Sequence, residues 1–279
     1  MAIIDPACAK LLISENKYNF EQHICLRTGT ILRYRCKHGP LIIIIYPNGK
    51  IIFKGSLHKF YNFISYDLTH NYNTFGFEAV GYVINYFKEI FNLDVFKLRI
   101  HNLEIGLNLK INLPVHKVIG HVLCYRSKDF FERAFDSPGR MVVCPFSEHR
   151  IKIYDKGMQE NKGRNVLRLE SHINKMRSRF NAHVYLCDFL DKKIWVACSE
   201  ILSDMVNNIT FNDDFNYDRL SINSKRIFRE INDRSLFQKF DRRTKSRKLK
   251  AFNTLIDKQG LLKIKKQLSE SILEEVKSL

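Results

Sequence analysis

The chain is predicted to fold as α+β, a largely antiparallel sheet with packed helices followed by a basic helical C-terminal region. Three observations carry this expectation. Short alternating or β-branched runs dominate the first two thirds, helical spacing takes over from about Val184, and basic residues gather near the end. With 279 residues and 45% hydrophobic content, the chain is long enough for one large core or for a core with an appendage. The expected division is 1–200 and 201–279.

The elements follow in chain order. LIIIIYPNGKIIFKGS, from Leu41, reads as a hairpin, with β-branched runs on either side of Asn48-Gly49. Phe75 to Asn92 places Val80, Val83, Ile84, Phe87 and Phe91 at helical spacing, so an amphipathic helix is expected on the sheet. Val95 to Ile111 alternates as one long strand or two strands with a kink. A regular strand would put Glu104 on the core side with Leu98 and Ile100, and His101 on the opposite face. PVHKVIGHVLCY opens with a proline suited to a first helical turn. RMVVCPF, HRIKIYDKG and VLRLESHI read as strands, with a polar glycine-containing spacer between the last two and a helix starting between Ser171 and Phe180. Beyond Val184 the amphipathic segments IWVACSEILSDMVNNI, SINSKRIFREINDRSLFQKF and LLKIKKQLSESILEEVKSL are helical, and DRRTKSRKLK is a basic run between helices.

The formal net charge is +17, and from Arg219 to Leu279 there are 17 basic residues against 7 acidic ones. This favours a polyanionic partner, nucleic acid before an acidic membrane. The seven cysteines form no C-x-x-C pair and most sit in apolar runs, which reads as free thiols in a reducing compartment. The N-terminus shows no signal-peptide pattern, and no apolar run approaches the ~18 residues of a membrane span, so a soluble, cytoplasmic chain with no membrane partner is expected. There is no phosphate loop, dinucleotide fingerprint or G-x-S-x-G elbow, which removes support for ATP hydrolysis, nicotinamide chemistry and serine hydrolysis.

Several ionisable groups call for chemistry or for a salt-bridged surface. Tyr154 alternates with Ile151, Ile153 and Asp155, sharing a face with Lys152 and Lys156. Cations beside a phenol favour its reactive phenolate, while a structural tyrosine at a strand end fits the same spacing. Arg168, Glu170 and His172 alternate on one face of the next strand. The carboxylate and imidazole could share a divalent ion, or the trio could be an exposed ion-paired face. Glu104 is either a buried carboxylate needing a partner or a strand end in solvent. GSLHKFYN, with His58 and Lys59, and HNYN, from His70, suit a phosphate and a stacked base.

The pieces IYDKG and LRLESHINK, preceded by RIHNLEIGLNL and by GSLHKFYN and NYNTF, resemble the rolling-circle replication initiators of filamentous phages and related plasmids. The likeness spans roughly residues 40 to 185 and rests on short motifs in the right order. It implies a metal-dependent endonuclease that nicks one strand at an origin, single-stranded or cruciform at the nick. Its tyrosine joins to the 5′ phosphate, a 3′ hydroxyl is left free, and the strand is later rejoined. Carried onto this chain, Tyr154 is the nucleophile and Lys156 its cationic neighbour. Glu104 and Glu170 hold Mg²⁺ or Mn²⁺. The wider pattern's His-hydrophobic-His pair is absent, leaving His58, His101 and His172 as rivals for the imidazole. Residues 1–200 would be the nicking-joining domain. Lys59, Lys152 and Arg168, with Arg242, Arg243, Lys245, Arg247 and Lys248 of the basic region 201–279, would touch DNA. Host helicase and polymerase are possible partners. A non-catalytic, sequence-specific DNA-binding initiator or regulator is the alternative, with Asn223 to Lys250 reading the major groove. A sheet that binds RNA through its aromatics is a third reading.

Overall fold

The structure, a computed structural model, describes residues 1–15, 18–134, 139–160, 165–212, 218, 220–258 and 263–277. Residues 161–164 of the spacer before VLRLESHI lie outside these, as do Leu261, Leu262, Ser278 and Leu279 at the ends of the last expected helix. The first part of the chain holds β1 (Ala2–Ile4), α1 (Pro6–Ser14), β2 (Glu21–Ile24), β3 (Ile31–His38), β4 (Leu41–Ile45), β5 (Lys50–Lys54), α2 (Leu57–Tyr66) and α3 (Phe77–Glu89). The middle holds β6 (Leu103–Lys110), α4 (Val115–Gly120), β7 (Val122–Tyr125), β8 (Lys128–Asp129), β9 (Phe131–Glu132), β10 (Met141–Pro145), β11 (His149–Asp155), α5 (Lys156–Gln159) and β12 (Val166–Ile173). There follow α6 (Met176–Phe180), a 3-10 helix (Leu186–Leu190), α7 (Lys192–Asn208), β13 (Ile209–Phe211), α8 (Ile222–Asn232), α9 (Arg234–Lys239), α10 (Arg242–Lys258) and α11 (Lys263–Lys277). Antiparallel strand pairs and interspersed helices make the fold α+β, as expected.

Two compact units form, one from residues 1–103 with 173–197 and the other from 104–172 with the segment from Cys198 onward. The C-terminal segment of the second unit begins at Cys198, within α7 and close to the expected boundary at 200, but that unit also takes in residues 104–172. Charge changes there, but charge composition does not mark where a core closes, and the basic helices belong to the same unit as Tyr154.

In the first unit the sheet runs β1-β5-β4-β3-β2, antiparallel throughout. The Asn48-Gly49 hairpin joins β4 to β5. Gly49 takes φ 78°, and a Cβ there would meet Pro6 at 2.7 Å, so both conformation and space demand glycine. Leu41, Ile43, Ile45, Ile51 and Phe53 are buried, as are Val80, Val83, Ile84 and Phe87 of α3. The rings of Phe53 and Phe87 lie 5.0 Å apart. The GSLHKFYN stretch opens α2, with Ser56 accepting from the Lys59 amide as its cap.

The segment from Val95 has the kink of the second alternative but forms only one strand. Arg99 makes only isolated bridges, the chain bends at His101, and a strand forms from Leu103. The bend resets the alternation. Ile105 and Leu109 are buried, while Glu104 lies on the opposite face with Gly106 and Asn108 and is exposed, not on the core side.

In the second unit the larger sheet runs β6-β12-β11-β10-β9, and β10–β11 pair antiparallel with Met141 opposite Tyr154 and Val143 opposite Lys152. Ile151, Ile153, Leu167 and Leu169 bury one face, and α4 packs on β11 with Val115, Val118 and Ile119 buried. β12 covers VLRLESHI as expected, and the helix expected to start between Ser171 and Phe180 starts at Met176. β11 ends at Asp155, whose carboxylate accepts from the Met158 amide and turns Lys156 into α5. A smaller sheet runs β13-β7-β8.

The expected helix Ser221–Phe240 is two helices. Asp233 takes an extended conformation and caps α9 through the Leu236 amide. The basic run Asp241–Lys250 is no linker: Asp241 accepts from the Arg243 and Thr244 amides and the run forms the opening turns of α10. α8, α9 and α10 close on Ile231, Phe237, Leu249, Phe252 and Ile256, together with Cys124 of β7. Lys265 of α11 donates to the Asn207 carbonyl at 2.6 Å. Among the described residues, no helix is long and apolar enough to cross a membrane.

Candidate active site

The polar face of β6, β12 and β11 gathers six of the residues singled out from sequence: Glu104, Lys152, Tyr154, Arg168, Glu170 and His172. Strand periodicity puts Glu104, Gly106 and Asn108, then Arg168, Glu170 and His172, then Lys152 and Tyr154 on one side. Tyr154 Oη donates to Glu170 Oε1 at 2.8 Å. Arg168 Nε donates to the same oxygen at 2.6 Å, and its terminal nitrogen reaches Asn108 Oδ1 at 2.8 Å. Lys152 Nζ lies between the two carboxylates, 2.9 Å from Glu170 Oε2 and 2.6 Å from Glu104 Oε2. His172 Nδ1 is 3.5 Å from Glu104 Oε2. Two acidic and two basic side chains thus balance within a single face.

Burial grades this network from one side to the other. The Glu170 side chain is 4% exposed, Lys152 20% and Glu104 39%, so the set opens to solvent at Glu104. Burial alone would push the Glu170 carboxyl up, but Arg168 and Lys152 outweigh it and hold it at about 2. Burial first, and the Glu170 charge second, push the Tyr154 phenol well above its ordinary value. The resting arrangement therefore holds a protonated phenol against an ionised carboxylate.

Other candidates fall elsewhere. Lys156 is buried, but as the first residue of α5 it reaches back to Gln159 at 2.8 Å and Glu160 at 2.6 Å. The helix start rotates it off the alternation that would have placed it beside Tyr154. His58 and His101 belong to the first unit. His58 stacks on Phe75 at 4.8 Å and bonds Asn73 at 2.8 Å. Asn73 also pairs with buried Asn62, so the HNYN segment ties down a loop. His101 has its imidazole pKa lowered by burial and then by Arg99. Lys59 is half-buried on α2. Tyr125 is buried against Phe146 and His149.

Two residues of the site were not anticipated. Asn108 buttresses Arg168. Gly106 leaves room for the network: a Cβ there would lie 2.8 Å from Glu170 Cγ and 2.8 Å from the Leu169 carbonyl. An isolated glycine inside an alternating strand was the available signal of such close approach. Gly106→Ala must shift β12 backbone or Glu170, with an expected cost of ~1–3 kcal/mol, measurable as a lowered denaturant midpoint with unchanged slope.

The expected Mg²⁺ or Mn²⁺ site needs Glu104, Glu170 and an imidazole to offer free oxygens and nitrogen. As arranged, both Glu170 oxygens accept from cationic or phenolic donors, and an ammonium stands where the carboxylates converge. Among the described residues no cluster of three or more His, Cys, Asp or Glu side chains is placed to hold a metal ion. The donor set fits an ammonium and does not fit a divalent cation.

The basic residues of α10 also divide. Arg242, Arg243, Arg247 and Lys250 are exposed. Lys245 lies over the Phe237 ring at 5.1 Å, and Lys248 lies over Phe240 at 4.7 Å and pairs with Glu230. These two brace the three-helix cluster. Arg242, Ser246, Lys250 and Asn253, spaced along one side of α10, line a groove with Arg126 and Ser127 of the β7–β8 turn. The chain matches no protein-family model and no curated protein.

Proposed function

We propose that this protein nicks one strand of DNA through Tyr154 and later rejoins it, serving replication of the rolling-circle kind at an origin. The observation that carries the reading is the Tyr154–Glu170 hydrogen bond of 2.8 Å, flanked by Arg168 and Lys152 on one strand face. It supplies nucleophile, proton acceptor and two cations together. The resting phenol is inert, so activation has to come with substrate. A phosphodiester entering at the Glu104 edge competes with Glu170 for Arg168 and Lys152. As those cations turn to the phosphate oxygens, Glu170 loses their stabilisation, its proton affinity rises, and it takes the phenol proton. Tyr154 Oη then bonds to phosphorus as the P–O3′ bond breaks, and the leaving 3′ oxygen takes a proton from solvent water, while Glu170 keeps the phenol proton and returns it to Tyr154 in the reverse step. Attack by a 3′ hydroxyl on the phosphotyrosine reverses the sequence and rejoins the strand.

The exposed cations of α10 are the DNA grip in this reading, within the same unit as the site. Replacing Arg242, Arg243, Arg247 and Lys250 with Ala should weaken binding to all sequences. It should flatten log K against log[salt] by up to ~0.9 per lost phosphate contact. Lys245→Ala and Lys248→Ala should instead lower thermal stability with the slope unchanged. An unaltered slope in the fourfold variant would move the grip away from α10.

A second reading, sequence-specific binding without chemistry, is favoured by the groove between α10 and the Arg126–Ser127 turn. The two separate on one measurement. Single-stranded oligonucleotides from DNA flanking the gene are incubated with the full-length protein, and a denaturation-resistant protein–DNA adduct is sought. Only the nicking reading produces one.

A further inference from the structure

We infer that the Lys152 ammonium is the built-in cation of this site, joining Glu104 and Glu170 in the place a divalent metal would take, so that the polar face is assembled and charge-balanced without metal. This deepens the proposed chemistry and rests on it only for the role of Tyr154; the placement of the cation stands on geometry alone.

Three observations converge. The ammonium is within 2.6 Å of one carboxylate and 2.9 Å of the other, closer than carbon contact allows and in the range of charge-assisted hydrogen bonds. Its position is fixed from the strand side, because Lys152 is paired across the β10–β11 ladder with Val143 and shares its face with Tyr154. The charges close without a further ion, because Arg168 and Lys152 already match Glu104 and Glu170. A divalent ion added beside Lys152 would leave the face with excess positive charge, and one replacing it would have to expel a half-buried lysine from two carboxylates.

The inference makes a specific exchange testable. Removing the ammonium while keeping the stem, as in Lys152→Met, leaves the Glu104 and Glu170 carboxylates without the cation between them and beside His172, so the variant is expected to take up a divalent cation there. Mn²⁺ binding is measured on full-length protein without DNA, by titration calorimetry and by loss of the free Mn²⁺ resonance signal. Wild type should show no saturable site that depends on Glu104 or Glu170. Lys152→Met should gain one, binding about tenfold or more tighter than any wild-type binding. Adding Glu104→Gln to Lys152→Met should abolish it, and Mn²⁺ should raise the melting temperature of Lys152→Met alone. A wild-type Mn²⁺ site that disappears in Glu104→Gln or Glu170→Gln overturns the proposal, as does a folded Lys152→Met that gains none. If Lys152→Met does not fold without Mn²⁺, its recovery on adding Mn²⁺ supports the proposal and failure to recover counts against it. The wild-type titration decides independently. Lys152→Arg, which keeps the charge, should fold and bind no Mn²⁺.

Adduct formation separates this from the nicking reading. With both correct, wild type forms adduct in the presence of a chelator. Adduct that requires metal, together with a carboxylate-dependent wild-type Mn²⁺ site, leaves nicking standing and removes the Lys152 role. No adduct under any condition, with the Mn²⁺ results as expected, does the reverse.

Discussion

Tyr154→Phe is expected to abolish the covalent protein–DNA adduct and strand nicking while leaving DNA affinity within about twofold of wild type. The substitution keeps the ring that packs with Met141 and Val143 and removes only the oxygen that donates to Glu170. Tyr125, which packs against Phe146 and His149, is the next tyrosine to replace if the Phe variant still forms adduct. The lost hydrogen bond to a charged acceptor should cost ~1.5–3 kcal/mol of stability, so adduct and binding are compared at a temperature where circular dichroism shows both proteins folded. A Phe variant that still forms adduct removes Tyr154 from the reaction. A wild-type protein that never forms one, yet selects a duplex sequence, returns the function to the α10 groove.

Glu170→Gln should produce the largest stability loss among single changes at the site. It leaves Arg168 without its counter-charge and Lys152 with Glu104 alone. Removing one partner of such a buried network costs ~3–5 kcal/mol, measurable by chemical denaturation at neutral pH. The same carboxylate sets an acid limit. Its folded pKa of about 2 is below the ordinary value of 4.5, so the unfolded chain binds more protons between the two. The stability it contributes is complete above about pH 4.5 and is lost as pH falls towards about 2. Glu170→Gln should therefore be less stable at neutral pH and show a flatter stability profile through this acid window. An equal acid sensitivity in the variant would place the titrating group elsewhere. Activity should fall with stability, because the Gln side chain cannot accept the phenol proton.

The neutral Gln also tests how the face is held together. If the four charges act as one unit, Lys152→Met and Glu170→Gln should be non-additive when combined, since each removes a member of the same pair. Independent surface ion pairs would add.

Periodicity alone determined much of this protein. Alternation placed Tyr154 with Lys152, and Glu170 with Arg168 and His172, and helical spacing placed Val80, Val83, Ile84 and Phe87 on one buried face. Such repeats are local, and burial of one face enforces them wherever the element forms. Asn-Gly between β-branched runs likewise specified the β4–β5 hairpin, because the turn's backbone conformation favours glycine. Tertiary structure decided the rest. The side of β6 that carries Glu104 depended on a bend at His101, and a one-residue change of phase moves every side chain to the other face. Lys156 left the site because Asp155 caps a helix there, a choice between strand and helix that alternation cannot make. That Lys245 and Lys248 lie over the rings of Phe237 and Phe240 depended on how α9 and its C-terminal end pack against α10. The decisive feature, an ammonium between two carboxylates, joins residues 48 and 18 positions apart. Only the pairing of β6, β12 and β11 brings them together, and sequence spacing carries no record of which cation will occupy the space where they meet.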